Sequence, residues 1–165
     1  MLLDPRKAKR FALSRGACQS VRSPTFLRLT LGVVYLHFGV LKFYPDLSPA
    51  ELLASQTVMR ASGHWLDART ALFALAVMET AIGLGFLFNV CLRGVFVIFL
   101  VHMAGTFLPL LYLPEFTFKF VPFAPTLEGQ YILKNLIFVA AGWTVLLPHV
   151  MGSGGPPAEK ATPID

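Results

Sequence analysis

The sequence predicts an all-α fold, an integral membrane antiparallel four-helix bundle, and three observations predict it. Four apolar runs, at about 26–44, 71–88, 94–113 and 130–147, approach the roughly 20 apolar residues that carry a helix across a bilayer. Hydrophobic residues make up 55% of the chain and charged residues only 14%, against about 25% charged in a soluble globule. Seven of the fourteen Lys and Arg lie between Arg6 and Arg28, ahead of the first run, where positive charge holds a segment in the cytosol. With an even number of spans, both termini are expected in the cytoplasm and the two long loops outside.

The chain reads as one domain, 25–148, between a basic tail (1–24) and a Gly/Pro-rich tail (149–165) expected to be disordered. The tail charge is local, and no folded basic module with interleaved aromatics accompanies it, so nucleic-acid binding is not expected. Gly16 and Pro24 break the tail, which is either frayed or laid on anionic lipid. Cys18 and Cys91 are isolated, with no CxxC and no metal-ligand spacing, so no disulfide and no metal site is expected.

In the first span Arg28, Gly32, Tyr35, Gly39 and Lys42 recur at intervals of three and four and share one helical face. Small residues on such a face permit close helix contact in lipid. His37 points to the other side. In the loop that follows, Ser48, Pro49 and Glu51 fit a helix start with a capping box, and Gly63 a stop. Leu52, Leu53 and Met59 of that short helix would face lipid or the bundle. The second span places Ala76, Glu79, Gly83 and Phe86 on one face. The third does the same with His102, Gly105, Thr106 and Pro109, and Pro109 is expected to bend it. The loop at 114–129 carries alternating Phe116, Phe118 and Phe120. It suits an extended or turned segment at the membrane interface, as an anchor or as a lid. The fourth span aligns Tyr131, Lys134, Phe138 and Ala141, with Asn135 on an adjoining face, and Pro148 is expected to end it.

Glu79 falls near mid-membrane, where a charged side chain is costly and normally finds a partner. Lys134, and less easily Lys42, can approach it from the outer half, because a lysine stem reaches well beyond its backbone. Two readings stay open. One lysine neutralises Glu79 as a structural pair while the other snorkels to the headgroups. Alternatively, Glu79, Lys42, Lys134, Asn135, Tyr35, His102 and Thr106 line an outward-opening polar site for a proton, a small polar substrate or a quinone headgroup. Haem is not expected, because His37 and His102 offer one histidine on each of two spans and His37 faces away. No GxSxG motif and no phosphate-binding glycine loop is present.

The Gly39-Val-Leu-Lys42 end of the first span, Glu79 followed by Gly83, and the run from Glu128 through Lys134-Asn135 together resemble the DoxX-like integral membrane proteins, YkgB-type branch. The resemblance covers 26–147. It implies a four-helix bundle of bacterial inner-membrane type, and some relatives are associated with quinone-linked sulfur oxidation or with membrane redox assemblies. On that resemblance the chain is expected to be an accessory or quinone-facing subunit of a membrane redox complex, and not an autonomous enzyme, since it has no redox motif of its own. A scaffold that docks a partner protein through its outer loops is the alternative. A small-solute carrier is the third; four spans without a visible inverted repeat would then require a homo-oligomer.

Overall fold

The computed structural model describes residues 23–44, 46–48 and 51–151, and most of them are helical. Residues 1–22 and 152–165, where the two tails are expected, lie outside the described residues, as does Pro49 of the expected capping box. In chain order the elements are α1 (Ser23–Leu41), α2 (Glu51–Ala61), α3 (Ala68–Phe88), α4 (Leu92–Phe107), α5 (Pro109–Tyr112) and α6 (Pro114–Thr117). They are followed by β1 (Phe118–Phe120), β2 (Ala124–Pro125) and α7 (Leu127–Val150). Four helical stretches are long and apolar enough to cross a membrane: Pro24–Leu41, Ala68–Phe88, Leu92–Tyr112 and Leu127–Val150.

These helices are apolar nearly all round. Val33, Phe73, Val77, Val97, Val101, Leu136 and Ile137 are exposed, which suits hydrocarbon and would be costly in water. The buried core is drawn from all four: Leu31 and Tyr35 from α1, Ile82 and Phe86 from α3, Phe96, Phe99 and Met103 from α4, Val145 and Leu146 from α7.

The closest helix pair is α1 with α3. Lipid tails are as apolar as leucine, so helices associate in a membrane through close packing and hydrogen bonds. Glycines provide that closeness here. A Cβ on Gly39 would lie 2.6 Å from the Thr80 backbone nitrogen, and one on Gly83 would lie 2.5 Å from that of Leu36. Contact partners on α3 step from Leu87 back to Glu79 as α1 advances from Gly32 to Lys42. At the far end Arg28 donates to the carbonyls of Phe86 and Leu87 (3.1 Å to the latter), satisfying the last turn of α3. The helix α4 packs mainly on α7, where the Phe99 ring lies on Gly142.

Several boundaries differ from those expected. The first helix ends at Leu41, so Lys42 lies just beyond it. The third span breaks at Leu108, and α5 resumes the helix from Pro109. Proline has no N–H to give the preceding turn, so the hydrogen-bond ladder is interrupted there while Leu108 keeps helical dihedrals (φ −58°, ψ −33°). By contrast, Pro148 does not end α7, which continues to Val150; the Met151 N–H still reaches the Leu147 carbonyl at 3.0 Å. A proline in a helix's last turn forfeits only one intrahelical bond, so α7 runs through it and into the range expected to be tail.

The long loops are structured. Glu51 reaches back to accept from the Asp46 backbone N–H at 3.2 Å. Gly63, at φ +63°, follows the end of α2 in the left-handed region open to glycine. The buried residues of α2 are Ser55 and Thr57, while Leu52 is exposed. Their hydroxyls are satisfied by the carbonyls of Leu52 and Leu53 at 3.0 and 2.6 Å. Arg60 ties α2 to the end of α5 and to α6, donating to the Tyr112 carbonyl and, at 3.4 Å, to Glu115. In the second loop the phenylalanine-rich run forms α6 and a two-stranded antiparallel hairpin, with Phe118 opposite Pro125 and Phe120 opposite Ala124. Phe120 and Phe123 are exposed and stack at 6.5 Å.

Candidate functional site

The site is built where α1, α3 and α4 meet. Glu79 is the twelfth of the 21 residues of α3, and its side chain is 9% exposed. Gly39 lets α1 approach closely enough that Lys42, one turn further on, comes directly over it. Lys42 Nζ lies 2.7 Å from Glu79 Oε2, with the lysine side chain also 9% exposed. On the other carboxylate oxygen, Oε1, sits His102 Nε2 of α4 at 2.9 Å. The second imidazole nitrogen, Nδ1, is 3.2 Å from the Tyr35 hydroxyl of α1. Four side chains, three from helices α1, α3 and α4 and one from the residue that follows α1, thus form one continuous hydrogen-bonded chain, Lys42–Glu79–His102–Tyr35.

Proton bookkeeping assigns the roles. A carboxylate paired with an ammonium has no proton to give, so Nε2 carries the hydrogen of the His102–Glu79 bond. In a neutral imidazole Nδ1 is then an acceptor, and the Tyr35 O–H donates to it. With that assignment every bond has one donor and one acceptor. Such a chain can take up a proton at His102, where the imidazolium would share the Glu79 carboxylate with Lys42.

The inner end is closed by aromatic packing. The Tyr35 ring lies 5.8 Å from Phe99 and 6.3 Å from Phe86, and its edge meets His102 at 5.4 Å. Phe86 and Phe99 are fully buried. Beside Glu79, the Thr80 Oγ1 is the one buried side-chain oxygen among the described residues that lacks a hydrogen-bond partner. It faces Gly39, where a Cβ would lie 2.7 Å away. Close helix contact therefore covers this hydroxyl, and no ligand space is needed to account for it.

Of the residues expected at a polar site, the structure brings together Tyr35, Lys42, Glu79 and His102. Lys134 is not among them, although it was the lysine expected to reach Glu79 more easily. It is exposed, with Nζ 4.8 Å above the Tyr131 ring one turn back on α7. The reason is lateral, because α3 packs chiefly on α1 whereas α7 packs chiefly on α4. Thr106 turns back on its own helix and donates to the Met103 carbonyl at 2.7 Å. Asn135 is half-buried on α7 and makes no described hydrogen bond to the four. His37 is exposed, its ring beside Phe38. The walls Phe86 and Phe99 were not singled out as site residues; the only signal was that Phe86 shares a face with Glu79.

A separate cavity of about 280 Å³ lies among Leu52, Leu53 and Gln56 of α2, Glu115 and Phe116 of α6, and Glu128 of α7. None of the four clustered residues lines it. Among the described residues no group of three or more His, Cys, Asp or Glu side chains is arranged to hold a metal ion. Comparison with protein-family models, with curated proteins and with solved structures gives no match for this chain.

Proposed function

We propose that this chain is a DoxX-like inner-membrane protein, an antiparallel four-helix bundle with both termini cytoplasmic. We infer that it serves as the quinone-facing or accessory subunit of a membrane redox system, with electrons supplied by partner subunits. The observation that carries the reading is the buried Lys42–Glu79–His102–Tyr35 chain. Three ionisable groups and a phenol held in sequence, with Glu79 in the middle of its helix, are costly as packing, and in membrane proteins such groups mark proton and substrate pathways.

A quinone headgroup needs donors for its oxygens and a flat apolar wall. Lys42 has N–H groups beyond the one given to Glu79, and the next residue in the chain, Phe43, meets Phe73 edge-on with ring centroids 5.6 Å apart. The inner end, packed solid by Phe86 and Phe99, has no room for a headgroup. Bound at the Lys42 end, a quinone would supply the electron-accepting chemistry. The protein's own groups would orient the headgroup and hold a proton at His102, with Glu79 fixing the imidazole.

The test is Glu79→Gln. The variant should insert and keep its helix content while losing the quinone that co-purifies with the wild-type chain. Equal quinone content in the two proteins would refute the reading.

A second reading, a scaffold that docks a partner protein, is favoured by one feature: the exposed hairpin rim of Phe120, Val121 and Phe123. A partner that co-purifies with the wild type and is lost when 114–129 is replaced would support it.

A further inference from the structure

We propose that the cavity between α2, α6 and α7 binds a small organic monocation, an amine or quaternary ammonium group, with Glu128 as its counter-ion. The cavity measures about 280 Å³ and is lined by Leu52, Leu53, Gln56, Glu115, Phe116 and Glu128. It shares no residue with the Lys42–Glu79–His102–Tyr35 chain, so this site stands or falls independently of the quinone-facing reading.

The walls of the cavity are pinned to one another. Arg60 holds α2 to the opposite wall, donating to the Tyr112 carbonyl and to Glu115. The Thr126 hydroxyl donates to the Phe116 carbonyl at 2.7 Å, and the Thr126 N–H to the Thr117 carbonyl at 2.9 Å. One residue beyond Glu128, a Cβ on Gly129 would collide with that same Thr117 oxygen, so α7 starts in direct contact with the end of α6. A site already held in shape loses little to ordering when a ligand fills it.

The lining selects the charge. It carries two carboxylates and no cationic side chain. Arg60 stands 3.4 Å from Glu115, whereas among the described residues Glu128 has neither a salt bridge nor a side-chain hydrogen bond. One carboxylate is thus left in excess, and its complement is a single positive charge that brings N–H donors or a polarised methyl surface. The Gln56 amide, also without a described partner, adds an oxygen acceptor.

The remaining lining selects the organic part. Leu52, Leu53 and Phe116 are half of the residues around the cavity, and an aromatic face such as that of Phe116 attracts an ammonium. A calcium-sized ion takes about 6–8 oxygen ligands and has no use for leucine walls. The volume falls just under the roughly 300–1,000 Å³ of pockets for drug-sized ligands, so the occupant is a small amine or a single headgroup. Glu128 lies in the first turn of α7, whose apolar stretch begins at Leu127, and this puts the cavity at the depth of lipid headgroups. The cation therefore has two sources, the amine of a zwitterionic lipid or a free amine from the water.

The experiment uses the full chain in an uncharged maltoside detergent with radiolabelled 2-phenylethylamine as the probe. Saturable binding near one equivalent per chain is expected, and neutral 2-phenylethanol should not compete. Glu128→Gln should weaken binding about tenfold, the loss of one charge-assisted contact to a bound ligand. Leu52→Trp should block it by filling the cavity. Both residues are exposed, so neither variant threatens the fold. Displacement of the probe by short-chain phosphatidylethanolamine but not by short-chain phosphatidylglycerol supports the site and assigns it to a lipid headgroup. Displacement by neither supports it as a site for a free amine. The proposal is overturned if binding does not saturate, if 2-phenylethanol competes as well as the amine, or if affinity survives Glu128→Gln unchanged.

Discussion

Replacing Lys42 by Met, Glu79 by Gln, and both together gives a thermodynamic cycle around the central pair. The bridge is 2.7 Å long with each side chain 9% exposed, so neither ion has much water to fall back on. Removing one member of such a pair typically costs about 3–5 kcal/mol, because the survivor is left as an uncompensated buried charge. Lys42→Met leaves the carboxylate with His102 alone. Glu79→Gln offers one carbonyl oxygen where two donors, Lys42 Nζ and His102 Nε2, each need one, and its amide group confronts the loser. In the double variant the amide oxygen turns to His102 and no ammonium remains to be satisfied. The double loss should therefore fall short of the sum by about 2 kcal/mol or more, within the range seen for residues in one network. Reversible unfolding in mixed micelles, titrated with a denaturing detergent, reads the four stabilities. Single losses that add to within about 0.5 kcal/mol would refute the reasoning, because independent sites behave that way.

Other outcomes follow from the same geometry. Gly39→Ala sets a methyl 2.6 Å from a backbone nitrogen of α3, which cannot move aside cheaply, and should cost about 1–3 kcal/mol in the same assay. Lys134→Ala should change stability by no more than about 0.5 kcal/mol and leave any bound quinone in place, since Lys134 is exposed and only overlies Tyr131. Arg28→Ala removes charge-assisted bonds to the carbonyls that close α3 and should cost about 1.5–3 kcal/mol, seen as a lower unfolding midpoint. Asp67 caps the start of α3: the Thr70 hydroxyl, then the Thr70 and Arg69 N–H groups, hold its carboxyl below the usual carboxylate range. A carboxyl depressed in the fold lends stability above its unfolded value, near 4, and loses it as pH falls through the folded value. Unfolding midpoints of wild type and Asp67→Asn should therefore diverge above about pH 4 and converge in stronger acid; a constant difference across pH would contradict the capping role.

Much of this was legible in the sequence, for identifiable reasons. Apolar length alone marks the four spans, because a membrane helix must bury every backbone group within itself. The face bearing Arg28, Gly32, Tyr35, Gly39 and Lys42 follows from helical period, and all five turn toward the α3 seam. What period does not give is which helix lies beside which. Lys42 and Lys134 enter from the same membrane side, and choosing between them requires knowing that α3 has α1 and not α7 as its main neighbour. Gly39 and Gly83 carried a faint trace of that choice, since each lies on the face that meets the other helix. The Tyr35–His102 bond is of the same kind: both residues were placed at the site, but their contact depends on how α4 is rotated against α1. Pro148 does not bound α7, because a proline in the last turn does not carry the cost it has in a helix interior.

The most direct measurement of the central claim is a reduced-minus-oxidised ultraviolet-visible difference spectrum of the gently purified wild-type chain in a non-absorbing detergent. A buried chain that serves a quinone headgroup predicts a quinone difference signal approaching one equivalent per chain. A flat spectrum from correctly inserted, helical protein would contradict it, and the Lys42–Glu79–His102–Tyr35 chain would then stand as architecture alone.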